Sequence, residues 1–488
     1  MPHQFRAAPI AVFCTLTIAA CVTQQNPVVE DNVVPNAKSL GAKQAVSDSC
    51  PADASWLRNP SLPGEVPGAG SICNFEQFMW QSMIALVQPT KSDPKLLELE
   101  TWMPSYGIFI KDGQPTPWGQ QPPDSCSKGT AGPVAIGKAP RVYSDIIKQA
   151  GIDQPLIDLR GEFVYYGMSV NKSAYDMLTG CDLYKANCAG PLKPGNKGID
   201  LIQKYPNLAF PDSAVELKTS WMVLDAAAAS SGLFYTVPGW IERNGGACRM
   251  VQLGLTGIHI VSKTPGSPAL IWATFEHRNN APDCNNTTAA PPLGGKWNFY
   301  NPDCKNCATN TYKANTAAQV CRMHSYGNSH VGTFPGGADC SVDPNQVACK
   351  DSTIKMLEES SLAIQDLNRS AQSLIQANPT LINKVWANYE LVGNVWTVGK
   401  TTPPYLQAQR GALSDANTSM ESFVQNGVAG VNNPYSCFSC HNMEGPAAGQ
   451  TLPPVGLSHL FHHVEMPGGC TNGSLPTACT PYTFATSP

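Results

Sequence analysis

The sequence predicts an α+β fold, in which a large, loop-rich antiparallel sheet is flanked by helices and braced by disulfides. The chain has 488 residues, with 41 glycines, 42 prolines and only 14% charged residues, a composition typical of short elements joined by loops. Strand patterns accumulate in the middle of the chain, and helical patterns lie on either side of them. The 18 cysteines are numerous enough to brace such loops.

The first ordered element is predicted to be a helix over Phe75–Gln88. Asn74 and Gln77 have the spacing of a capping box, and Pro89 ends the apolar run. Apolar side chains cover more than one face of this segment, so we expect the helix to be buried on several sides.

Five segments in the middle of the chain have the composition of strands. They are Glu162–Val170, Val215–Leu224, Leu233–Ile241, Arg249–Ser262 and Leu270–His277. In the second segment, apolar residues alternate from Val215 to Val223. Because such alternation places apolar side chains on one face, it predicts an antiparallel sheet with one buried face.

A smaller, mostly helical C-terminal region is predicted after residues 279–350, which are rich in Asn, Gly, Thr, Pro and Cys. A helix is expected over Thr353–Ala377, a strand over Val385–Trp396 and a last helix over Asp415–Gln425. We expect disulfides to hold the loop-like segment before them in shape.

The N-terminus resembles a bacterial lipoprotein signal. Arg6 precedes a largely apolar run, Ala7–Ala20, whose small last residues stand directly before Cys21. Cleavage would leave Cys21 as the lipidated first residue; an ordinary cleaved signal is the alternative. The run is too short for a membrane-spanning helix and contains Pro9. Val22 follows the cysteine, and the absence of an aspartate at this position resembles the lipoproteins sorted to the outer membrane.

The most specific motif is Cys437-Phe438-Ser439-Cys440-His441, the C-x-x-C-H pattern of covalent c-type haem attachment. Each thiol adds to one haem vinyl group, and the histidine ligates the iron as the proximal ligand. A disulfide loop beside a histidine is the alternative. The motif predicts one covalent haem c and makes the C-terminal region a cytochrome c-like haem segment.

Candidates for the opposite side of the iron lie after and before the motif. Met466 precedes a Pro-Gly-Gly stretch that could turn it towards the haem, and His459, His462 and His463 are nearby. A methionine ligand would favour a higher reduction potential and a histidine ligand a lower one.

Two upstream histidines, His277 and His259, are also candidates. Each shares a predicted strand face with apolar residues, a setting more typical of a hydrogen-bonded core histidine than of a ligand. Both could still reach the haem across a domain interface.

The cysteine count indicates an oxidising compartment. Of 18 cysteines, Cys14 lies in the signal, Cys21 takes the lipid and two take the haem, so 18 − 4 = 14 remain, enough for seven disulfides. Neighbouring cysteines suggest the pairs Cys50–Cys73, Cys181–Cys188, Cys340–Cys349 and Cys470–Cys479. The spacing of Cys304, Cys307, Cys321 and His324 would also suit zinc, but the exported setting and the even thiol count favour disulfides.

Charge and missing motifs exclude several function classes. Removing residues 1–20 leaves 31 basic and 36 acidic side chains, a net charge of −5, without a basic stripe. Nucleic acid is therefore rejected as a partner. The sequence contains no G-x-S-x-G, phosphate loop or H-E-x-x-H, so hydrolase and nucleotide chemistry have no support.

Several segments together resemble a group of largely uncharacterised bacterial cytochrome c family proteins. They are Phe75–Leu86, Gly257–Val261, Trp272–His277, Tyr389–Gly393 and Ser436–His441. The family consists of exported single-haem proteins whose haem motif follows a large non-haem region. The resemblance implies that His259 and Phe275-Glu276-His277 belong to a shared framework, and that His277 lies near the haem. Here Arg278-Asn279-Asn280 replaces the more acidic continuation expected of the family.

The sequence thus predicts four regions: a signal peptide (1–20), a flexible tether (21–49), a mixed β-rich domain (50–350) and a helical, haem-binding region (351–488). The leading hypothesis is a lipid-anchored mono-haem cytochrome that transfers electrons in the bacterial envelope, on the outer membrane facing the periplasm or cell surface, to a redox partner protein. The alternative is a haem-dependent oxidoreductase, a peroxidase or an oxidase of a small-molecule substrate, with an open iron site. A ligand sensor or structural envelope protein is a third possibility.

Overall fold

A computed structural model describes residues 50–68, 70–110, 113–123, 126, 141–144, 149, 155–184, 207–242, 248–310, 316–322, 333–334, 338–339, 351–397, 409–411, 416–425, 441, 454–458, 460 and 477–483. They belong to one compact unit, Ser47–Pro488. The other unit, Met1–Val46, lies outside the described residues and contains the predicted signal and Cys21.

The described helices are α1 (Ser55–Arg58), α2 (Ile72–Leu86), α3 (Ser105–Ile108), α4 (Lys172–Gly180), α5 (Ala226–Ser230), α6 (Asp351–Ala377) and α7 (Thr480–Thr483). The predicted helices near 75 and 353 are confirmed as α2 and α6. The cap of α2 differs from the prediction: the Ser71 hydroxyl accepts from the N–H of Asn74, and the Asn74 side chain accepts from the N–H of Ser71. The capping box therefore begins three residues earlier than expected.

The described strands are β1 (Met103–Pro104), β2 (Arg141–Ser144), β3 (Val164–Val170), β4 (Val215–Leu224), β5 (Thr236–Glu242), β6 (Arg249–Thr264), β7 (Ser267–His277), β8 (Thr333–Phe334), β9 (Ala338–Asp339), β10 (Tyr389–Thr397) and β11 (Gln409–Gly411). All five predicted central strands are present. The strand expected from Val385 begins only at Tyr389, because a 3₁₀ turn, Lys384–Asn388, precedes it.

Nine of these strands form one sheet: seven follow the order β1-β3-β4-β6-β7-β10-β11, and β5 and β2 branch from β6. One edge of the long strand β6 pairs with β4, and its other edge is shared between β5 and β7. Pairing is antiparallel except between β2 and β5. The α+β class with a largely antiparallel sheet is confirmed.

One face of this sheet, the apolar face, packs against α2 and α6. It carries alternate residues of the central strands, including Leu217, Ile258, Ile260, Ala273, Phe275 and Leu391. Trp80 of α2 meets Phe275 edge-on, with ring centroids 5.1 Å apart. The Trp80 indole N–H also donates to Asn368 of α6 at 2.9 Å. Burying each such side chain stabilises the fold by about 1.5–3 kcal/mol.

Residues on both sides of position 350 share this sheet and core. Strand β10 pairs with β7 along its length, and α6 packs beside α2. The predicted helix over Asp415–Gln425 is wrong: residues 417–420 form a turn, and Ser422–Gln425 is a 3₁₀ turn. The polar groups of this segment form hydrogen bonds with the sheet, and not with the backbone of a helix.

The structure contains five described disulfides. Cys50–Cys73 is confirmed. Cys181 pairs with Cys479, 298 residues away, so the predicted pairs Cys181–Cys188 and Cys470–Cys479 are wrong. The other bonds are Cys126–Cys248, Cys284–Cys321 and Cys304–Cys307. The predicted pair Cys340–Cys349 lies outside the described residues.

No helix in the described part of the chain has the length and apolar character needed to cross a membrane.

Candidate functional site

The opposite side of the central strands carries ionisable and hydroxyl side chains, and we call it the polar face. It consists of Glu216, Lys218 and Ser220 of β4, His259 of β6, and Thr274 and Glu276 of β7. These residues alternate with those of the apolar face because successive strand side chains point to opposite sides of a sheet. Most of the polar face is buried, so its polar groups need partners inside the protein.

Glu276 attaches the segment 416–425 to this face. Its carboxylate accepts from the Thr418 N–H at 2.6 Å and from the Thr418 hydroxyl at 2.5 Å. The Arg322 guanidinium also donates to it at 2.8 Å, and both charged side chains are buried. Such a pair holds its elements in one arrangement, because losing either partner would leave a buried charge.

Gly257 allows the same segment to approach closely. A Cβ at this position would lie only 2.6 Å from Asn417 Nδ2 and 2.8 Å from Ser419 Oγ. The Ser419 hydroxyl lies 2.7 Å from that of Ser220. The absence of a side chain on β6 therefore makes room for the turn that covers the polar face.

His259 connects this segment to the sheet. Its Nε2 lies 3.1 Å from both carboxylate oxygens of Glu421, and its Nδ1 lies 2.7 Å from the Thr274 hydroxyl oxygen. Because a carboxylate only accepts, Nε2 carries the hydrogen in this pair. Burial raises the pKa of Glu421, but its attraction to His259, with smaller effects of Lys218 and the Asn417 N–H, outweighs burial and lowers that pKa.

Glu216 and Lys218 are ionisable residues within the same buried strand. Burial raises the pKa of Glu216 to about 7, although a hydrogen bond from the Ser458 hydroxyl at 2.8 Å opposes this shift. Burial lowers the pKa of Lys218, against the attraction of Glu421. The Lys218 ammonium lies 5.6 Å from the centre of the Tyr166 ring. The polar face thus holds one acid that titrates near neutral pH.

His441, the described residue of the haem motif, lies beside Trp272 of β7, with ring centroids 4.2 Å apart. Its Nδ1 is 2.7 Å from the carbonyl oxygen of Leu457. Since a carbonyl only accepts, Nδ1 carries the hydrogen, and the lone pair of the neutral ring is on Nε2. An Nδ1–H bonded to a backbone carbonyl orients a metal-binding histidine, so His441 fits the role of an axial haem ligand.

His277 is a core residue of the apolar face. Its ring stacks on Phe234 at 4.3 Å, and burial lowers its pKa to about 4. Its Nε2 donates to the Leu233 carbonyl at 3.0 Å, and its Nδ1 accepts from the Asn279 N–H at 3.2 Å. Neither ring nitrogen is available to iron in this arrangement, whereas Trp272, which contacts His441, lies on the other face.

The remaining predicted site residues, Cys437, Cys440 and Met466, lie outside the described residues. Among the cysteines weighed for zinc, Cys304 and Cys307 bond to each other, and Cys321 bonds to Cys284. In the described ranges, no three His, Cys, Asp or Glu side chains are grouped as a metal site.

Sequence reasoning missed the site residues Glu216, Lys218, Glu421 and Trp272. The signal for the first two was present, because a strand that is buried on both faces does not normally carry two charges. The sequence offers no such signal for Glu421, because residues 416–425 have helical spacing and contact the sheet only in the folded protein.

Comparison with family models, curated proteins and solved structures finds no match to this chain.

Proposed function

We propose that the protein is a mono-haem c-type cytochrome of the bacterial envelope that transfers electrons through a haem bound to Cys437 and Cys440. The observation that supports this best is the setting of His441, whose Nδ1 faces the Leu457 carbonyl at 2.7 Å while its ring contacts Trp272. A disulfide loop with an incidental histidine would not need this orientation.

The bound haem would supply reversible one-electron chemistry. The protein would contribute the position of the imidazole: the Leu457 carbonyl fixes its tautomer, and Trp272, itself buried, limits the access of water to one side of the ring. For the other side of the iron we keep Met466 and the tail histidines as candidates, since both ring nitrogens of His277 bond to the backbone.

The setting of the protein belongs to the same proposal. A lipid on Cys21 would anchor it to the outer membrane, facing the periplasm or the cell surface, and a redox protein would be its partner. Five disulfides among the described residues agree with an oxidising compartment.

A haem-dependent oxidoreductase with an open iron site is a second candidate. One observation favours it: the polar face holds Glu216, Lys218 and the pair His259–Glu421 on the side of the sheet that contacts His441. Simple electron transfer does not require such acid and base groups, whereas peroxide or substrate chemistry does.

Covalent haem attachment tests the first proposal, and the chain offers a matched control. After expression with a cytochrome c maturation system, the wild type should retain haem through denaturation, and Cys437→Ser/Cys440→Ser should not. Cys304→Ser/Cys307→Ser removes the other C-x-x-C pair, which lacks a following histidine, and should keep the haem. A wild type without covalent haem would contradict the proposal.

Optical spectra with and without carbon monoxide separate the two candidates. A six-coordinate, low-spin haem that ignores carbon monoxide would support the electron carrier. A high-spin haem that binds the ligand would support the oxidoreductase. In either case His441→Ala should change the axial ligation, because it removes the proximal nitrogen.

A further inference from the structure

Glu216 lies in the same cross-strand row as Trp272. Glu216 pairs with Val261 of β6, and Val261 pairs with Trp272 of β7, so all three side chains are on the polar face. Two strand spacings of about 4.8 Å place the backbones of Glu216 and Trp272 about 10 Å apart. Trp272 contacts the ring of His441. A buried acid is therefore two strands away from the tryptophan that contacts the predicted haem ligand.

A second connection passes through adjacent residues of one turn. Leu457 offers its carbonyl to His441 Nδ1 at 2.7 Å, and Ser458 donates its hydroxyl to Glu216 Oε2 at 2.8 Å. The turn itself is buried. A change of charge at the His441 side would act on Glu216 partly across this buried turn, where electrostatic interactions are stronger than in water.

The charge of Glu216 is poorly compensated. Its side chain is 9% exposed, and its Oε1 has no hydrogen-bond partner in the part of the chain that the structure describes. Buried carboxylates normally accept several hydrogen bonds or pair with a cation. One hydroxyl donor, from Ser458, is weak support for the ionised form.

The charged neighbours of Glu216 are engaged elsewhere. Around it, the described residues of β4, β6 and segment 416–425 contribute Lys218, His259, Lys263 and Glu421, while its neighbours on β3 and in the turn 454–458 are uncharged. Helix α4, which also packs against β4, carries the exposed pair Lys172–Asp176. His259 is paired with Glu421, and Lys263 donates to Asp212 and to the Thr264 carbonyl. Lys218 lies over the Tyr166 ring.

We propose that Glu216 is a redox-linked proton site: it binds a proton from solvent when the haem gains an electron from its redox partner and releases that proton when the electron leaves. This inference rests on the proposed haem function. The carboxylate becomes a carboxylic acid, the haem gains one electron, and the net charge of the buried region is unchanged over the cycle.

The size of the linkage depends on the distance between Glu216 and the charge that the haem gains. One charge at about 10–15 Å, in a medium with an effective dielectric constant of about 20, changes the pKa of a carboxyl group by about one unit. Burial already places the pKa of Glu216 at about 7. A shift of about one unit would keep the pKa of Glu216 near neutral pH in both redox states.

The pH dependence of the reduction potential tests the proposal. The measurement should run from about pH 5 to pH 9, about two units on either side of that pKa. In the wild type the potential should be flat where Glu216 is protonated in both states. It should then fall between the pKa values of the oxidised and reduced forms, and become flat again. A tenfold difference in proton affinity corresponds to a total fall of about 59 mV for a one-electron couple.

Glu216→Gln should remove this step, because its amide does not titrate, and should leave any contribution of the haem propionates. Asp176→Asn is the matched control: this carboxylate is 46% exposed and bonds to Lys172 at the surface, so its removal should keep the wild-type curve. Reduced-minus-oxidised infrared spectra of the wild type should show the band of a protonated carboxyl group, and Glu216→Gln should lack it. The wild-type band alone still tests the proposal if that variant folds poorly.

Two failures are distinguishable. A haem-loaded Glu216→Gln protein with the wild-type curve, or a wild type without the carboxyl band, would overturn the proton linkage alone. A wild type that carries no covalent haem would overturn the proposed function, and the linkage with it.

Discussion

Phe275 and Glu276 are neighbours on β7, yet they face different surroundings. Phe275 lies on the apolar face against Trp80, and Glu276 lies on the polar face with Arg322 and Thr418. Both are fully buried. The apolar face stabilises the fold through non-directional burial, whereas each group of the polar face must first find a partner that offsets its lost hydration.

The comparison indicates why the polar face deserves a functional interpretation. A buried ion pair is often replaceable by apolar residues without loss of stability, so stability alone does not explain Glu276, His259 and Glu421 together on one side. They lie on the same face of the sheet as Trp272, which contacts His441, and this position is the basis for the functional interpretation.

Loss of the apolar face should have the largest effect. Phe275→Ala would leave a cavity beside Trp80 and should lower the free energy of unfolding by about 3–5 kcal/mol. Urea denaturation, followed by tryptophan fluorescence, measures it. Phe275→Leu is the control, since it keeps most of the volume and should lose much less. Equal losses in both variants would contradict the packing explanation.

Loss of the Glu276–Arg322 pair should have the next largest effect, and a second change should reverse part of it. Glu276→Gln removes the nearest of three carboxylates around the buried Arg322 guanidinium, while Asp283 at 3.6 Å and Glu390 at 3.7 Å remain. The cost should therefore lie at or below the low end of the about 3–5 kcal/mol typical of a broken buried ion pair. The double variant Glu276→Met/Arg322→Met should recover part of that loss, because the closest buried pair is then removed as a whole. If the double variant is as unstable as the single one, hydrogen bonds to Thr418 matter more than the ion pair.

The two faces should also respond oppositely to pH. On the polar face, Glu216 has a pKa raised by burial to about 7 from 4.5. The folded protein therefore binds this proton more tightly, and the stability present below pH 4.5 is lost as pH rises through 7. The loss is up to about 3 kcal/mol. The free energy of unfolding, measured from about pH 4 to pH 8, should not show this decrease in Glu216→Gln, because its side chain does not titrate.

On the apolar face, burial lowers the pKa of His277 to about 4 from 6.5. Here the unfolded chain binds the proton more tightly, so stability is present above pH 6.5 and is lost as pH falls through 4. The Glu216→Gln variant should keep this loss of stability at acid pH. If Glu216→Gln removed both pH dependences, the two faces would not titrate independently.

The smallest effect is expected where the polar face meets its covering segment. Gly257→Ala would bring a Cβ against Asn417 and Ser419, and overpacking of this kind costs about 1–3 kcal/mol. Thermal unfolding measures the loss. Gly254→Ala, where the neighbours are the ends of the flexible Leu224 side chain, should cost less.

The sequence predicted the apolar face well, because periodicity and composition are local signals. Strand β4 matches its predicted bounds, and α2 and α6 differ only by a few residues. Cys50–Cys73 was predictable because the two cysteines are close in sequence. The C-x-x-C-H motif is also a local signal, and the haem that it predicts stays a prediction.

The polar face depends on long-range contacts, which the sequence does not display. Residues 416–425 have helical spacing, yet Thr418 and Asn417 bond to β7 across 142 residues. Cys181 pairs across 298 residues rather than with a neighbour. His277 looked like a possible iron ligand because strand alternation alone does not reveal that its two nitrogens bond to backbone groups.

The bond Cys181–Cys479 makes the haem motif part of a covalent ring of the chain instead of a free tail, since positions 437–441 lie between the two cysteines. A single peptide-bond cleavage anywhere in that ring would still leave residues 437–441 covalently joined to the fold. The ring also keeps the motif at a high effective concentration near the sheet, even when its own contacts are broken. After such a cut, the return of this segment to the fold would therefore remain an intramolecular event that dilution does not reverse.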